Sequence, residues 1–301
     1  MTRLWRIVAV GLAAATPSVA QPAGPLVGWG TNTSGQLNFP SGEFFKAVSG
    51  DFSNTAAIRE DGTIGMWGDF WGGLGTPPPT GRFTMLDGGR DSFVAIRENG
   101  TLAAWGINAH GGLNVPSGTF KHAAAGSNAY AAVRTDGTLA GWGVLSTLTP
   151  PAGNDFVAVT AGEGSALALR ADGTVVGWGA NFWGELAVPP GTYRDVAITY
   201  GWAAGVRSDG SLIYWGALRP PSMGALIGPF TQIDMGTSGS SPLGLREDGS
   251  LATSSGQVAT GTFVAIGTGD SHYLAIVPPP SSLIFVGAWA GWVVGRRRRA
   301  V

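Results

Sequence analysis

The sequence contains no cysteine and has few charged residues. The absence of cysteine from 301 residues excludes a disulfide scaffold, a zinc-thiolate site and a cysteine nucleophile. Only 12% of the residues are charged, and the three histidines, His110, His122 and His272, are widely scattered. Histidine metal sites need closer spacing, and neither a nucleophile elbow nor a Walker loop is present. We therefore expect neither a metal nor a cofactor.

Glycine (50 residues) and proline (19 residues) are abundant instead. The glycines follow no three-residue period, which excludes collagen. Hydrophobic residues make up 44% of the chain and aromatic residues 10%, which is too apolar for a disordered protein. This composition favours many short strands joined by tight turns.

The N-terminal segment has the pattern of an export signal. Arg3 and Arg6 precede an apolar stretch over residues 7–15, and Ser18 and Ala20 supply small side chains before Gln21. This pattern predicts a signal peptide over residues 1–20. A buried N-terminal strand is the alternative interpretation.

The C-terminal segment combines prolines, a short apolar run and a basic cluster. Residues 283–295 are apolar and residues 296–299 are all arginine. A helix of this run spans about 20 Å, less than the ~30 Å hydrocarbon core, although snorkelling arginines extend its reach. We expect transient inner-membrane anchoring through residues 283–299, with the arginines in the cytoplasm. A nucleic-acid-binding tail is the alternative, and the adjoining apolar run argues against it.

Residues 278–301 resemble the PEP-CTERM sorting signal of Gram-negative bacteria that produce exopolysaccharide. The match consists of the short hydrophobic helix and the arginine cluster, whereas Pro279 stands where the family has glutamate. The resemblance implies cleavage by an exosortase-type peptidase and release to the cell surface, the matrix or the medium. Residues 21–280 carry 12 Lys and Arg against 19 Asp and Glu, a net charge of −7. This charge argues against a nucleic-acid partner.

Residues 21–277 are repetitive, with three series in one phase. The series are a Trp-Gly pair, an arginine followed by an Asp-Gly or Asn-Gly turn, and one further aromatic residue. They begin at Trp29, Trp67, Trp105, Trp142, Trp178 and Trp215; at Arg59, Arg97, Arg134, Arg170, Arg207 and Arg246; and at Phe45, Phe83, Phe120, Phe156, Tyr193, Phe230 and Phe263. A period of 36–38 residues indicates a repeat architecture. We expect these residues to form the scaffold, with the tryptophans in the core.

Each repeat predicts four antiparallel strands, named A to D. In residues 155–188 these are 156–159, 165–169, 174–178 and 185–188, with a two-residue hairpin at Asp172-Gly173 between strands B and C. Repeated four-stranded units predict an all-β, seven-bladed β-propeller, and a solenoid is the alternative. Residues 26–30 begin an unpaired C–D half, and residues 263–276 form an unpaired A–B half. Pairing these halves closes the ring and covers both sheet edges.

The repeat resembles the regulator of chromosome condensation family. Residues 269–276 (GDSHYLAI) match one half of its motif and residues 29–37 (WGTNTSGQL) match the other. The short repeats and the Val-Pro-x-Gly link at residues 115–118 are most similar to the bacterial branch, which contains a secreted inhibitor of β-lactamases. The eukaryotic branch includes exchange factors for the GTPase Ran, a partner that an exported bacterial chain would not meet. The resemblance implies a binding module.

The loops that escape the repeat supply the candidate binding residues. A–B and C–D loops share one face of such a ring, and aromatic and arginine side chains on rigid loops suit binding. The C–D loops carry Phe70-Trp71, His110 and Phe182-Trp183 at matching positions, and the A–B loops carry Phe52, Arg90, Tyr130, Tyr200, Trp202 and His272. The alternative is that some of these rings fold back over the ends of the blades.

We therefore expect an exported, non-enzymatic, monomeric module that binds a protein or a polysaccharide. Inhibition of a secreted or periplasmic enzyme is a narrower form of this hypothesis. The alternative is a propeller hydrolase or lyase with carboxylates near the central channel. A catalytic site of that kind predicts clustered acidic or histidine side chains with perturbed pKa values.

Overall fold

The structure, a computed structural model, describes residues 23–73, 75–147, 149–219, 226–237, 241–254, 256 and 258–279. The predicted signal peptide and the predicted hydrophobic helix at residues 283–295 lie outside this part of the chain. No helix within it is long and apolar enough to cross a membrane.

The described part of the chain contains two short 3₁₀ helices, Phe70–Gly73 and Val144–Thr147. Its strands are β1 Leu26–Gly30, β2 Phe45–Gly50, β3 Asn54–Arg59, β4 Ile64–Gly68, β5 Phe83–Gly88, β6 Ser92–Arg97, β7 Leu102–Gly106, β8 Phe120–Ala125, β9 Ala129–Arg134, β10 Leu139–Gly143, β11 Phe156–Ala161, β12 Ser165–Arg170, β13 Val175–Gly179, β14 Tyr193–Thr199, β15 Trp202–Arg207, β16 Leu212–Trp215, β17 Phe230–Asp234, β18 Leu243–Arg246, β19 Leu251–Thr253, β20 Ala265–Thr268 and β21 His272–Ile276.

The strands form seven three-stranded antiparallel sheets. Six sheets take their strands consecutively from β2 to β19, and the seventh has the order β1-β21-β20. The first strands of successive sheets contact one another in a closed cycle from β2 through β5, β8, β11, β14, β17 and β20 back to β2. Leu26 lies opposite Ile276 and Gly30 opposite His272. The all-β propeller and its closure by the two ends of the repeat region are confirmed.

The predicted fourth strand is wrong. Residues 185–188 are not a strand, and their counterparts in other repeats are loops. In three repeats an asparagine side-chain oxygen accepts the backbone N–H of a leucine five residues later, at 2.8–3.0 Å; these asparagines are Asn32, Asn108 and Asn181. The loop satisfies its own polar groups, so it gains little by pairing with strand C.

The predicted two-residue hairpin is also wrong. The Arg59 N–H donates to the Thr63 carbonyl at 2.8 Å, and the Gly62 N–H donates to the Arg59 carbonyl at 2.9 Å. This is a three-residue loop with only its glycine at positive φ (+89°), the type I turn with a G1 bulge. Asp61 instead accepts hydrogen bonds from the Thr63 hydroxyl and backbone N–H, which lower the pKa of its carboxyl.

The repeated aromatic residues and tryptophans fill the spaces between neighbouring sheets, as predicted. Phe83, Phe93 and Trp105 pack with Ala56 and Ile58 of the preceding sheet, and Trp105 is 1% exposed. Four of the repeated arginines lie over the aromatic ring of their own repeat, with guanidinium-to-centroid distances of 4.5–5.3 Å. Each such cation–π contact fixes the arginine as part of the scaffold.

Candidate ligand-binding cleft

The sheets present two different faces at their two ends. The loop face comprises the loops between the first and second strands and the segments after the third strand. Hydrogen bonds join these two sets, such as Val144 N–H to the Asn128 carbonyl (3.0 Å) and Ala180 N–H to the Gly164 carbonyl (2.8 Å). The turn face comprises the Asp-Gly or Asn-Gly turns and the links between sheets. The predicted division of the loops between two faces is confirmed.

The turn face repeats the same bonds from sheet to sheet. The turn glycine's carbonyl accepts the N–H of the aromatic residue that begins the next sheet, at 2.8–3.2 Å for Phe83, Phe120, Phe156, Tyr193, Phe230 and Phe263. Charged side chains are paired there: Arg170 lies 2.6 Å from Asp155 and Arg59 lies 2.7 Å from Glu43. These backbone bonds and ion pairs stabilise the scaffold, so the groups that form them are not available to a ligand.

Three of the predicted binding residues belong to the core, so their assignment to the loop face is wrong. Tyr130 is 3% exposed and stacks on Trp142, with ring centroids 5.6 Å apart, while its hydroxyl lies 2.8 Å from Ser92 Oγ. Trp202 is 1% exposed and packs with Phe230 of the next sheet. Both residues lie within second strands, where side chains face the neighbouring sheets. His272, the third such residue, is fully buried.

The other predicted residues lie on the loop face, but not together. Arg90 and His110 are exposed, and Phe70 is 41% exposed. Residues 70 and 71 begin a 3₁₀ helix in which Phe70 has a φ of +53°, so they do not share the conformation of the Asn108 and Asn181 loops. The predicted equivalence of their positions with His110 and Trp183 is therefore wrong. The side chain of Trp71 lies outside the described part of the structure.

Phe182 and Trp183 border a cleft on the loop face. Its volume is about 690 Å³, within the range of small-molecule sites. Loops of three successive sheets line it, contributing Val144, Glu163, Phe182, Trp183, Glu185 and Tyr200 among others. Phe182 is 86%, Trp183 40% and Tyr200 45% exposed. We call this region the aromatic cleft.

The loop that carries Phe182 and Trp183 is held by hydrogen bonds at several points. The Trp183 N–H donates to Glu185 Oε2 at 2.9 Å, and its carbonyl accepts the Ala217 N–H at 2.7 Å. Trp215 Nε1 donates to the Glu185 carbonyl at 2.8 Å. Fixed backbone reduces the entropy lost when a ligand binds. The loop therefore presents two aromatic rings on a preorganised support.

Most polar side chains of the aromatic cleft have structural partners. Glu185 is 4% exposed and accepts the Trp183 N–H. Thr199 is 1% exposed and donates to the carbonyls of Gly236 and Thr237. Glu163 is exposed. When the repeats are aligned, Glu163 takes the place that Arg90 takes in an earlier repeat. This alignment is the sequence signal that identifies Glu163 as a loop-face residue.

Carboxylates on the first strands of three sheets each bond to the next sheet, and two of them, Asp87 and Asp234, line the central channel. Asp87 Oδ2 accepts the Ala125 N–H at 3.0 Å, and Asp234 Oδ2 accepts the Thr268 N–H at 2.8 Å. Asp195 lies two residues after the aromatic residue that begins its sheet, whereas Asp87 and Asp234 lie four residues after theirs. It accepts the Ile233 N–H at 2.8 Å. In every case the donor N–H belongs to the first strand of the next sheet around the ring. Asp87 and Asp234 hold the same position in their repeats, which indicates a scaffold role.

Burial changes the proton affinity of these groups. Burial, with a smaller contribution from the charge of Asp234, raises the pKa of Asp87 to about 7. Burial raises the pKa of Asp234 to about 6 and that of Asp195 well above its ordinary value. Asp87 and Asp234 line a channel cavity of only about 30 Å³, the space of one or two waters. A cavity of this size does not admit a sugar or peptide substrate.

The buried histidines make no metal site. Burial lowers the pKa of His122 and of His272 to about 4. His272 Nε2 lies 3.0 Å from the Thr55 hydroxyl, and His122 Nδ1 accepts the Val159 N–H at 3.4 Å. Within the described ranges, no three His, Asp or Glu side chains come together as metal ligands would.

Comparison with known proteins relates the chain to others through its fold. No protein-family model and no curated protein matches the sequence. Human WBSCR16 superposes with a TM-score of 0.68 at 16% identity, over 84% of this chain and 98% of that one. Prp20p of Saccharomyces cerevisiae gives 0.66 at 14% identity, over 88% and 93%. The ectodomain of the Physcomitrella patens receptor kinase CR4 gives 0.65 at 20% identity, over 78% and 70%. The chain therefore has a propeller fold similar to that of yeast RCC1 (Prp20).

Proposed function

We propose that the protein is an exported, non-enzymatic module that binds a protein or a polysaccharide at the bacterial surface or in the extracellular matrix. The observation that carries the proposal is the aromatic cleft. Large aromatic rings on a rigid loop supply binding energy with little loss of conformational freedom. Inhibition of a secreted or periplasmic enzyme is a narrower form of the same proposal.

The structural neighbours favour a protein as the ligand. The Prp20p structure was studied with its binding to Gsp1p and histones, and yeast RCC1 (Prp20) has been solved in complex with Kap60. A propeller that presents variable loops at one end suits this use, because the scaffold stays constant while the loops change. The proposal places the ligand at the loop face.

The proposal assigns no catalysis to the carboxylates that join the sheets. Asp87, Asp195 and Asp234 each hold a backbone N–H of the next sheet. Their raised pKa values follow from burial, which also perturbs catalytic groups, and their bonds to backbone N–H groups support a scaffold role. A carboxylate engaged in joining two sheets is poorly placed to act on a substrate.

Photo-crosslinking in the producing cells tests the binding role. We expect p-benzoylphenylalanine in place of Phe182 to give a discrete adduct, and Trp183→Ala in the same chain to abolish it. The matched control replaces Phe44, which is 36% exposed and lies on the turn face. Equal adducts from both positions, or none from Phe182, would contradict the proposal.

The export route is tested on the protein recovered from the cell surface. Removal of the signal peptide and of the sorting segment predicts a mature chain that begins near Gln21 and ends near Pro280. Intact-mass spectrometry measures both ends in one experiment. A surface protein that retains residues 283–301 would contradict processing by an exosortase-type peptidase.

A further inference from the structure

The charged residues in the described lining of the aromatic cleft are all acidic. Its lining includes two carboxylates, Glu163 and Glu185, and none of its described lining residues is a lysine, an arginine or a histidine. Arg90 and Arg219, two exposed cations of the loop face, are not part of the lining. The cleft thus offers negative charge and aromatic rings to a ligand without a competing internal cation.

Only one of the cleft's carboxylates is available to a ligand. Glu185 is 4% exposed and bonded to the Trp183 N–H, whereas Glu163 is exposed. The Thr199 hydroxyl is used by two carbonyls, and Ser165 is 3% exposed. Glu163 therefore supplies the available charge of the described lining, beside the neutral polar groups of Asn128 and Tyr200.

We propose that the aromatic cleft binds a cationic side chain, arginine or lysine, of a protein partner, with Glu163 as its counter-ion and Trp183 and Tyr200 as its aromatic wall. The inference rests on the proposed function, since it names the chemistry that the same cleft recognises. Cations are attracted to aromatic faces, most strongly to that of tryptophan. A guanidinium also stacks on rings while it bonds a carboxylate.

A polysaccharide is the less suitable occupant. A sugar ring needs several donors and acceptors for its hydroxyl groups, because unpaired polar groups are costly once they are buried. Glu185 and Thr199 are already engaged, so a sugar ring would find only the Asn128, Glu163 and Tyr200 side chains as polar partners among the exposed or half-buried lining residues. A single cation needs one counter-charge and an aromatic wall, and the aromatic cleft supplies both.

Fluorine NMR of the full chain labelled with 5-fluorotryptophan tests the inference, with the Trp183 signal assigned by Trp183→Phe. The probes are the blocked peptide Gly-Arg-Gly, the same peptide with neutral citrulline, and the neutral glucan cellohexaose. We expect the arginine peptide to shift the Trp183 signal with a dissociation constant about tenfold lower than that of the citrulline peptide. Salt should weaken the arginine peptide selectively.

A charge variant with a matched control completes the experiment. Glu163→Gln should reduce the difference between the two peptides to about twofold or less, whereas Glu60→Gln, an exposed glutamate of the turn face, should leave it unchanged. An unaltered melting temperature establishes that each variant is folded. Equal binding of the two peptides, no shift with either, or a shift with cellohexaose alone would overturn the inference.

These outcomes separate the inference from the proposed function. If the Phe182 crosslink persists and depends on Trp183 while arginine and citrulline bind equally, the cleft binds a ligand but does not select a cation. If the crosslink is absent, the proposed function fails first. Selective binding of the arginine peptide together with a specific crosslinked protein supports both.

Discussion

The turn face and the loop face are built from opposite ends of the same strands, yet only one of them repeats. In most sheets of the turn face, the turn glycine's carbonyl accepts an N–H of the next sheet and the turn carboxylate accepts hydrogen bonds from the residue after the glycine. In most sheets an arginine also lies over the aromatic ring of its own repeat. The loop face changes from an asparagine-closed loop to a 3₁₀ helix between sheets. Residues that recur in every repeat hold the ring together, and residues that depart from the repeat are free to contact a ligand.

The largest expected effect comes from opening the ring on which both faces depend. Deleting residues 21–40 removes β1 and exposes the backbone edge of β21, together with Leu274 and Ile276 that pack against Leu26. An unpaired edge beside apolar side chains promotes aggregation or strand exchange. We expect loss of the monomer by size-exclusion chromatography and loss of cooperative melting.

Deletion of residues 281–301, beyond the last strand, is the control for the first prediction and should leave melting unchanged. A chain without residues 21–40 that stays monomeric and melts normally would show that the matched halves do not close the ring.

A core tryptophan and a cleft tryptophan should differ strongly in their contribution to stability. Trp105→Ala and Trp202→Ala remove fully buried rings and should each lower the free energy of unfolding by ~3–5 kcal/mol. Trp183→Ala removes a ring that is 40% exposed and should cost less than ~1.5 kcal/mol. Chemical denaturation of the three variants measures the difference. Equal destabilisation would assign Trp183 to the core and remove the best residue of the aromatic cleft.

The sequence repeat predicts the strands well because the same contacts recur. Predicted strands A to C of residues 155–188 correspond to β11, β12 and β13. The assignment of Tyr130 to the loop face is wrong, although the repeat itself indicates the tryptophan on which this ring stacks. Phe93, Tyr130 and Tyr273 each lie opposite the tryptophan of the neighbouring strand and stack on it, with centroids 5.3–5.6 Å apart. This cross-strand pairing is the signal of a core residue.

The aromatic cleft could be predicted only in part. Phe182 and Trp183 depart from the repeat and were found for that reason. Their combination with Val144 and Glu163 depends on how loops of three sheets bend toward one another. Loop conformations follow from local bonds, such as that of Asn181 with Leu186, which residue periodicity does not encode. Sequence therefore identifies which face varies, and structure identifies which residues meet there.

A carboxylate of the channel should make stability depend on pH in a direction opposite to that of an exposed turn carboxylate. The pKa of Asp87 is raised in the folded state, so folding favours its protonated form. Its contribution is fully present below pH ~4, and it is lost as pH rises through about 7. Asp87→Asn should therefore gain stability relative to wild type between pH 4 and 8, with an upper limit of about 4 kcal/mol.

Asp172 is the matched control for this titration, because turn hydrogen bonds from Thr174 lower the pKa of its carboxyl. Asp172→Asn should show no gain over wild type as pH rises from 4 to 8. Melting temperatures of the wild type and both variants across this range provide the measurement. A constant difference between Asp87→Asn and the wild type would show that Asp87 is ionised in the folded protein at all these pH values.

The smallest expected difference separates two glycines with the same backbone conformation, one on each face. Gly137 has a φ of +86° and Gly184 a φ of +79°, so alanine at either position is strained by about 1 kcal/mol. A Cβ on Gly137 would also overlap the Asn154 carbonyl, whereas a Cβ on Gly184 meets nothing within 4 Å. Gly137→Ala should therefore cost at least about 2 kcal/mol and Gly184→Ala only about 1 kcal/mol, as measured by urea unfolding. Equal costs would mean that the turn face tolerates change as readily as the loop face. The turn face and the loop face would then differ in their side chains alone, because the backbones of both faces would tolerate an added Cβ equally well.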